Sequence, residues 1–120
     1  MEIRKVENKS LLQGDNEFET GIIMTVKTIP AGAFLKRMAN GRFAIVTDTG
    51  NEEPVAVNPV EIPYASVQNS EANARVLIGG KVRFDMLNVD GRQITEVEGD
   101  MIRKYGIVPK KVTDLSWTRE

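Results

Sequence analysis

The sequence contains no cysteine and no histidine. Without cysteine the chain can form neither disulfides nor thiolate metal sites. Without histidine it lacks the side chain whose pKa best suits acid-base chemistry near neutral pH and which binds metals most often. These absences remove most catalytic and metal-binding constellations, and we expect neither a cofactor nor a metal.

The remaining routes to catalysis have little support in the sequence. There is no nucleophile-elbow pattern, phosphate loop or zinc motif. Glu96 and Glu98 would share one face of a strand, where paired carboxylates could run acid-base chemistry or hold a cation, but a solvated face is the simpler interpretation. The acidic loop 48–54 lacks the spacing of an EF-hand. We therefore predict that the protein is not an enzyme.

The chain also has no large excess of one charge and no long apolar run. Sixteen basic and 17 acidic residues give a net charge of -1, and the basic clusters are no larger than pairs such as Lys110-Lys111, which disfavours a general nucleic-acid binder. The longest hydrophobic run spans residues 43–46, and residues 1–7 lack the apolar stretch of a secretory signal. We expect neither nucleic acid nor membrane as a partner.

Glycine and proline recur about every ten residues, and the segments between them are short and rich in valine, isoleucine, threonine and phenylalanine. This spacing is typical of a mostly β domain. We predict a small β-sandwich or barrel-like domain with one short helix near the C-terminus. Residues 1–20 are interpreted as an N-terminal arm, and residues 21–120 as the β-rich domain.

Several turns and strands can be placed along that domain. Residues 21–27 and 55–57 have the composition of buried strands, and residues 58–73 should lie on the surface. Asn40-Gly41 predicts a type I′ hairpin turn, because both residue types accept a positive φ. Residues 74–78 and 82–86 each alternate apolar and polar side chains, so the two glycines between them, Gly79-Gly80, predict a second hairpin.

The C-terminal third predicts a turn, a strand and the single helix. Asp90-Gly91 makes the turn, and residues 94–98 form a weak strand. Asp100 can cap a helix that Gly106 closes in the left-handed conformation. Within this helix a stripe of three apolar side chains should pack against the sheet; its members are Met101, Ile102 and Tyr105.

Three features suggest contacts with other chains. Arg83 and Asp85 would lie on the polar face of their strand, where they could be solvated or could meet a second copy. Trp117 lies near the C-terminus, where a large apolar group either folds back or docks on a neighbour. Ile3 and Val6 in the arm could add a strand to a partner's sheet, although disorder is the alternative.

Three segments resemble the head decoration proteins of lambda-type tailed bacteriophages. The first is Ile29-Pro30-Ala31-Gly32-Ala33-Phe34-Leu35, followed by the turn at Gly41. The second is Gly80-Lys81-Val82-Arg83-Phe84-Asp85-Met86-Leu87, and the third runs from Asp100 to Ile107 and ends in Tyr105-Gly106-Ile107. Their order and spacing match the family over about two thirds of the chain.

The resemblance implies a function without chemistry. It implies a cement protein that assembles as a homotrimer, binds the major capsid protein on the outer surface of the head and stabilises it, so that the protein would be made in the host cytoplasm and reside in the virion. The family's arm contacts the shell, which assigns that role to Ile3, Arg4, Lys5 and Val6. Arg83, Asp85 and Trp117 are then the candidates for the subunit interface.

Two other functions stay open on the sequence alone. A barrel of about five strands would also suit an OB-like module that binds oligonucleotides. However, aromatic residues make up only 6% of the chain, and such sites need them to stack bases. Another small virion connector or tail protein would have similar sequence features.

Overall fold

The computed structural model describes residues 12–111. Strands dominate, with one short helix near the C-terminus. The strands are β1 (Leu12–Met24), β2 (Phe34–Arg37), β3 (Phe43–Ile45), β4 (Ala56–Val57), β5 (Glu71–Arg83), β6 (Asn88–Val89), β7 (Arg92–Gln93) and β8 (Ile107–Lys110). The helix α1 spans Glu96–Arg103, and 3₁₀ turns span Tyr64–Ser66 and Phe84–Met86.

Five strands close into a barrel in the order β1-β3-β2-β4-β5, and the pairing of β1 with β5 completes the ring. β1 runs parallel to β3, whereas the other barrel pairs are antiparallel. β8 adds to the end of β5 in parallel, and β6 and β7 form a separate hairpin. The predicted barrel-like, mostly β fold with a C-terminal helix is confirmed.

The protein has two hydrophobic clusters on opposite faces of the same strands. Leu35, Ala56 and Val76 belong to the cluster inside the barrel. Their chain neighbours Phe34, Val57 and Leu77 point to the other face and pack against the C-terminal segment. That segment supplies five buried side chains, Leu87, Val89, Ile94, Ile102 and Ile107. Because both faces are covered, β2, β4 and part of β5 carry consecutive apolar residues.

The predicted hairpin at Gly79-Gly80 is wrong, because β5 runs through both glycines as one strand of 13 residues. Gly80 has φ +125°, and a Cβ there would overlap the Asn16 side chain. The register between β1 and β5 also shifts at this point. As a result Val76 faces the barrel interior, whereas Val82 faces the outer cluster. The side chains therefore alternate in opposite phase before and after the glycines, which in the sequence looks like two strands joined by a turn.

The hairpin turn predicted at Asn40-Gly41 and the turn predicted at Asp90-Gly91 are both present, with one difference in turn type. β2 and β3 pair on either side of Asn40-Gly41, but only Gly41 has a positive φ. The amide of Gly41 donates to the Met38 carbonyl, which gives a turn of the ordinary hand followed by a left-handed glycine rather than type I′. Both Asp90 and Gly91 have positive φ in the predicted turn between β6 and β7.

The helix begins earlier than predicted, and the weak strand over 94–98 is absent. Thr95 is the N-cap, its hydroxyl accepts from the Glu98 amide, and the Glu98 carboxylate accepts from the Thr95 amide. Asp100 therefore lies within the helix. Gly106 has φ +88° beyond its end, as predicted. Of the predicted apolar stripe, Ile102 is buried and Met101 half-buried, but Tyr105 is exposed.

The first barrel strand begins within the segment that was predicted to be an N-terminal arm, residues 1–20. Residues 12–20 belong to β1 and pair with β5 as far as Leu12↔Val82. The remainder of the predicted arm, residues 1–11, lies outside the described residues. Residues 58–73 were predicted to lie on the surface, and most of residues 58–70 are exposed, although Asn58 is buried. Residues 71–73 instead begin β5, where Ala72 is buried in the barrel cluster.

Candidate interaction surfaces

Five of the predicted contact residues fall outside the residues that the structure describes. They are Ile3, Arg4, Lys5 and Val6 of the arm, together with Trp117. Their assignments to the capsid contact and to the subunit interface stay predictions.

Arg83 and Asp85 lie together at the surface, but they bind one another within the chain. Arg83 ends β5, and Asp85 lies in the following 3₁₀ turn rather than in a continued strand. The guanidinium donates from Nε to Oδ1 at 3.3 Å and from Nη2 to Oδ2 at 3.0 Å. This two-point geometry fixes both side chains. Their contact with a second copy is not tested by the geometry and stays a prediction.

Glu96 and Glu98 do not form a carboxylate pair. They lie on a helix, two positions apart, and their surroundings differ. Glu96 is exposed and binds Lys111, which lowers the pKa of its carboxyl group. Glu98 is buried beneath the loop that precedes β4. Neither arrangement supplies two cooperating acid-base groups.

The Glu98 carboxylate joins three parts of the chain. It accepts from Arg92 Nη1 at 3.1 Å and Nη2 at 2.8 Å, from Thr49 Oγ1 at 2.7 Å and from the Thr95 amide at 2.9 Å. The Arg92 bonds are the main reason that the pKa of Glu98 falls to about 2, because burial alone would raise it. Glu98 is therefore ionised at neutral pH, with its acceptor sites occupied, and its role is structural.

This network was missed in the sequence, although one signal for it is present. Thr95-Glu96-Val97-Glu98 has the spacing of a capping box, a threonine followed three residues later by glutamate. That pattern would have placed the helix start correctly. It could not have indicated Arg92 or Thr49, which reach Glu98 only through the tertiary fold.

The acidic loop 48–54 binds its own backbone and nearby side chains. Asp48 accepts from the Gly50 amide at 2.9 Å and from Asn51 Nδ2 at 2.6 Å. Glu52 accepts from the Thr47 amide at 2.8 Å and from Lys36, and the Lys36 bond is the main cause of its lowered pKa. Within residues 12–111 no group of three or more acidic side chains is placed to hold a metal ion.

Large apolar side chains are exposed mainly in two neighbouring connections. Val26 is 73% exposed in the connection after β1, and Val60 and Tyr64 are 68% and 53% exposed in the connection after β4. The two connections are joined by reciprocal backbone hydrogen bonds between Ile29 and Ile62. Val97 on α1 and Tyr105 are also exposed, at 70% and 38%. The exposed side chains of the two joined connections are a candidate interaction surface.

An open groove of about 320 Å³ lies between β5 and the connection after β4. Its floor and walls are mostly apolar and include Phe18, Val60, Ile62 and Ala74. The Arg75 guanidinium carbon lies 4.2 Å from the centroid of the Phe18 ring, at the groove. We call this feature the β5 groove.

The aromatic side chains are poorly placed for stacking bases. Phe34 and Phe43 are fully buried, Phe18 and Phe84 are half-buried and packed against the outer cluster, and Tyr64 and Tyr105 are exposed. A single-stranded nucleic-acid site needs exposed rings along a basic groove. The closed five-stranded barrel is compatible with the OB-like alternative, but the two exposed tyrosines do not supply such a row of rings, and the Tyr105 hydroxyl donates to the acidic Glu53.

The comparisons with known proteins do not identify a family. No family model and no curated protein matches the chain. None of the helices within the described part of the chain is long and apolar enough to span a membrane.

Proposed function

We propose that this protein decorates a bacteriophage capsid, binding the outer surface of the head as a homotrimer and stabilising it. The observation that carries this proposal is that the three segments resembling lambda-type decoration proteins meet in the fold. A chance resemblance of short motifs would not require them to be in contact.

The first segment contacts the end of the second through a close backbone approach. Gly32 has φ +84°, and a Cβ at this position would overlap the Met86 carbonyl oxygen. The Asn88 amide donates to the Gly32 carbonyl at 3.0 Å, and Asn88 Nδ2 donates to the Ala31 carbonyl at 3.0 Å. Position 32 in the first segment therefore needs a glycine, because the backbone of the second segment lies where a side chain would be.

The second and third segments are joined by β-pairing. The Gly80 amide donates to the Gly106 carbonyl at 2.9 Å, and Gly80 pairs with Ile107 at the start of β8. Ile102 of the third segment is fully buried in the outer cluster beside Val82 and Leu87. The resemblance therefore covers one connected part of the structure, and the proposed role rests on that resemblance.

The trimer requires contacts between different surfaces of each copy, since a three-fold axis relates unlike patches. Arg83, Asp85 and Trp117 are the proposed subunit contacts, and Ile3, Arg4, Lys5 and Val6 are the proposed capsid contacts. The major capsid protein is the partner, and the capsid exterior is the location. The exposed Val26, Val60 and Tyr64 are further surface that such an assembly could cover.

The test is binding to heads assembled from the major capsid protein encoded in the same genome. Purified protein is mixed with empty heads before and after expansion and sedimented, and its mass in solution is measured by light scattering. We expect a trimer that co-sediments with expanded heads. A monomer that stays in the supernatant with both kinds of head at micromolar concentration would refute the proposal.

Asp85→Asn tests the assigned interface, with Asp100→Asn as its control. Both changes remove one carboxylate, but Asp100 makes only a long contact of 3.6 Å with Arg103 and is 78% exposed. We expect Asp85→Asn to weaken the trimer and Asp100→Asn to leave it unchanged. Equal trimer stability in both variants would remove Asp85 from the interface.

A further inference from the structure

The second edge of β5 is covered along only part of its length. β1 pairs with one edge from Leu12 to Met24. On the other edge Gln68 pairs with Glu71, β4 pairs with Leu77 and β8 pairs from Gly80 onward. Among the described residues no strand pairs with this edge over the intervening stretch, residues 72–76, of which residues 73–75 line the β5 groove. Alternate residues of a strand direct their N–H and C=O groups to the same edge, so this stretch presents backbone groups for pairing.

The connection after β4 cannot cover that edge because its hydrogen bonds point elsewhere. The Asn58 amide donates to the Ala33 carbonyl at 2.9 Å, and the Asn58 carbonyl accepts from the Gly32 amide at 2.7 Å. Ile62 exchanges hydrogen bonds with Ile29. Pro59 has no amide proton to offer. The connection is held against residues 29–33, and the β5 groove remains between it and residues 73–75.

Arg75 gives the groove a charge preference. Six arginines lie in the described residues, and five of them form an ion pair with a carboxylate of the same chain. Arg75 is the exception, since its contact is with the Phe18 ring. Stacking on an aromatic ring holds a guanidinium in place while its N–H donors remain able to bind a carboxylate in two-point geometry.

We propose that the β5 groove binds an extended, acidic segment of another protein, which adds as a strand to residues 73–76. Backbone hydrogen bonds to β5 would supply much of the affinity. An apolar side chain would enter the groove against Ile62 and Ala74, and a neighbouring carboxylate would bind Arg75. This binding does not depend on the capsid function, because it requires only the open edge, the groove and Arg75.

The first test uses capped pentapeptides and the whole protein. One peptide alternates valine and glutamate, and its control alternates valine and lysine. Backbone amide resonances are followed by NMR during titration to millimolar peptide. We expect the acidic peptide to shift the amides of residues 73–76 and 58–62, and the basic peptide to bind at least about tenfold more weakly, the scale of one charged hydrogen bond. Equal binding of both peptides, or no shift with either, would overturn the proposal.

N-methylation tests strand addition directly. Only one edge of an added strand faces β5, so methylating one alternate set of peptide amides should abolish binding, whereas methylating the other set should leave it. If both sets have the same effect, the peptide does not bind as a strand.

Two variants locate the site. Arg75→Gln should weaken the acidic peptide about tenfold, since it removes the charged hydrogen bonds, while Arg103→Gln on α1 should not. Val60→Asp places a like charge beside the peptide at a position 68% exposed, where folding should be unaffected. It should also weaken binding. Unweakened peptide binding by both Arg75→Gln and Val60→Asp would overturn the assignment of the site to the β5 groove. Binding of the same variants to heads, measured in parallel, reports separately on the capsid function.

Discussion

Replacing Glu98 with glutamine should remove a large electrostatic contribution to stability. The Glu98 side chain is only 7% exposed, and its pKa falls from 4.5 to about 2 in the folded protein. One pKa unit corresponds to about 1.4 kcal/mol, so the shift corresponds to about 3 kcal/mol of the free energy of unfolding at neutral pH. Glu98→Gln should lose an amount of this order.

The loss should depend on pH with a definite sign. Because the folded pKa is depressed, the unfolded chain binds a proton on Glu98 between about pH 4.5 and 2 while the folded chain does not. The contribution is therefore complete above this range and disappears as the pH falls through it. The difference between wild type and Glu98→Gln should be largest near pH 7 and should approach zero near pH 2.

The measurement is urea unfolding followed by far-UV circular dichroism at several pH values, with Glu96→Gln as the matched control. Glu96 lies two positions away on the same helix and also forms an ion pair, with Lys111, but its side chain is 74% exposed. Solvent screens an exposed ion pair, so Glu96→Gln should lose much less stability than Glu98→Gln. If both variants lose the same stability, or if the loss from Glu98→Gln is independent of pH, the assignment of the network to Glu98 is wrong.

Three further substitutions test the fold. Gly80→Ala should destabilise the protein by more than about 2 kcal/mol, because Gly80 has a positive φ and a Cβ there would overlap the Asn16 side chain. Gly91 also has a positive φ but lies in open space, so Gly91→Ala should lose only about 1–2 kcal/mol. Similar unfolding midpoints for the two variants would contradict this. Thr95→Ala removes the helix cap and should lose about 1 kcal/mol in the same assay, so an unchanged midpoint would argue against the capping box. Asn58→Ala removes the 3.0 Å bond to the Pro30 carbonyl, which keeps a 3.3 Å bond from the Ala33 amide, and should lose about 1 kcal/mol. Faster amide exchange at Ile29 and Ile62 should accompany the loss, and unchanged exchange there would count against a role of the Asn58 side chain in holding the connection.

The sequence predicted the class of fold because glycine, proline and β-branched residues act locally. Asn40-Gly41 and Asp90-Gly91 favour turns through their own backbone preferences, so both turns were placed correctly. Gly106 was recognised at the end of the helix for the same reason. Exclusions drawn from composition also need no structure, since a chain without cysteine forms no disulfide.

The errors arose where a neighbour in space decides the conformation. Gly79-Gly80 looks like a turn, yet the pairing with β1 on one side and β8 on the other keeps β5 continuous through it. Residues 94–98 alternate like a strand, but the cap at Thr95 and the Arg92 bonds to Glu98 stabilise a helix start there.

The sequence by itself determined the strand-rich fold class and the tight turns, because these depend on residues adjacent in the chain. It also determined the absence of thiol and imidazole chemistry, because this depends on composition alone. Tertiary structure alone decided which surfaces could bind a partner. The open edge at residues 73–76 exists because the connection after β4 bonds to residues 29–33. Arg75 contacts the Phe18 ring, whereas the other five described arginines form ion pairs. Both are properties of segments far apart in sequence, which no local pattern records.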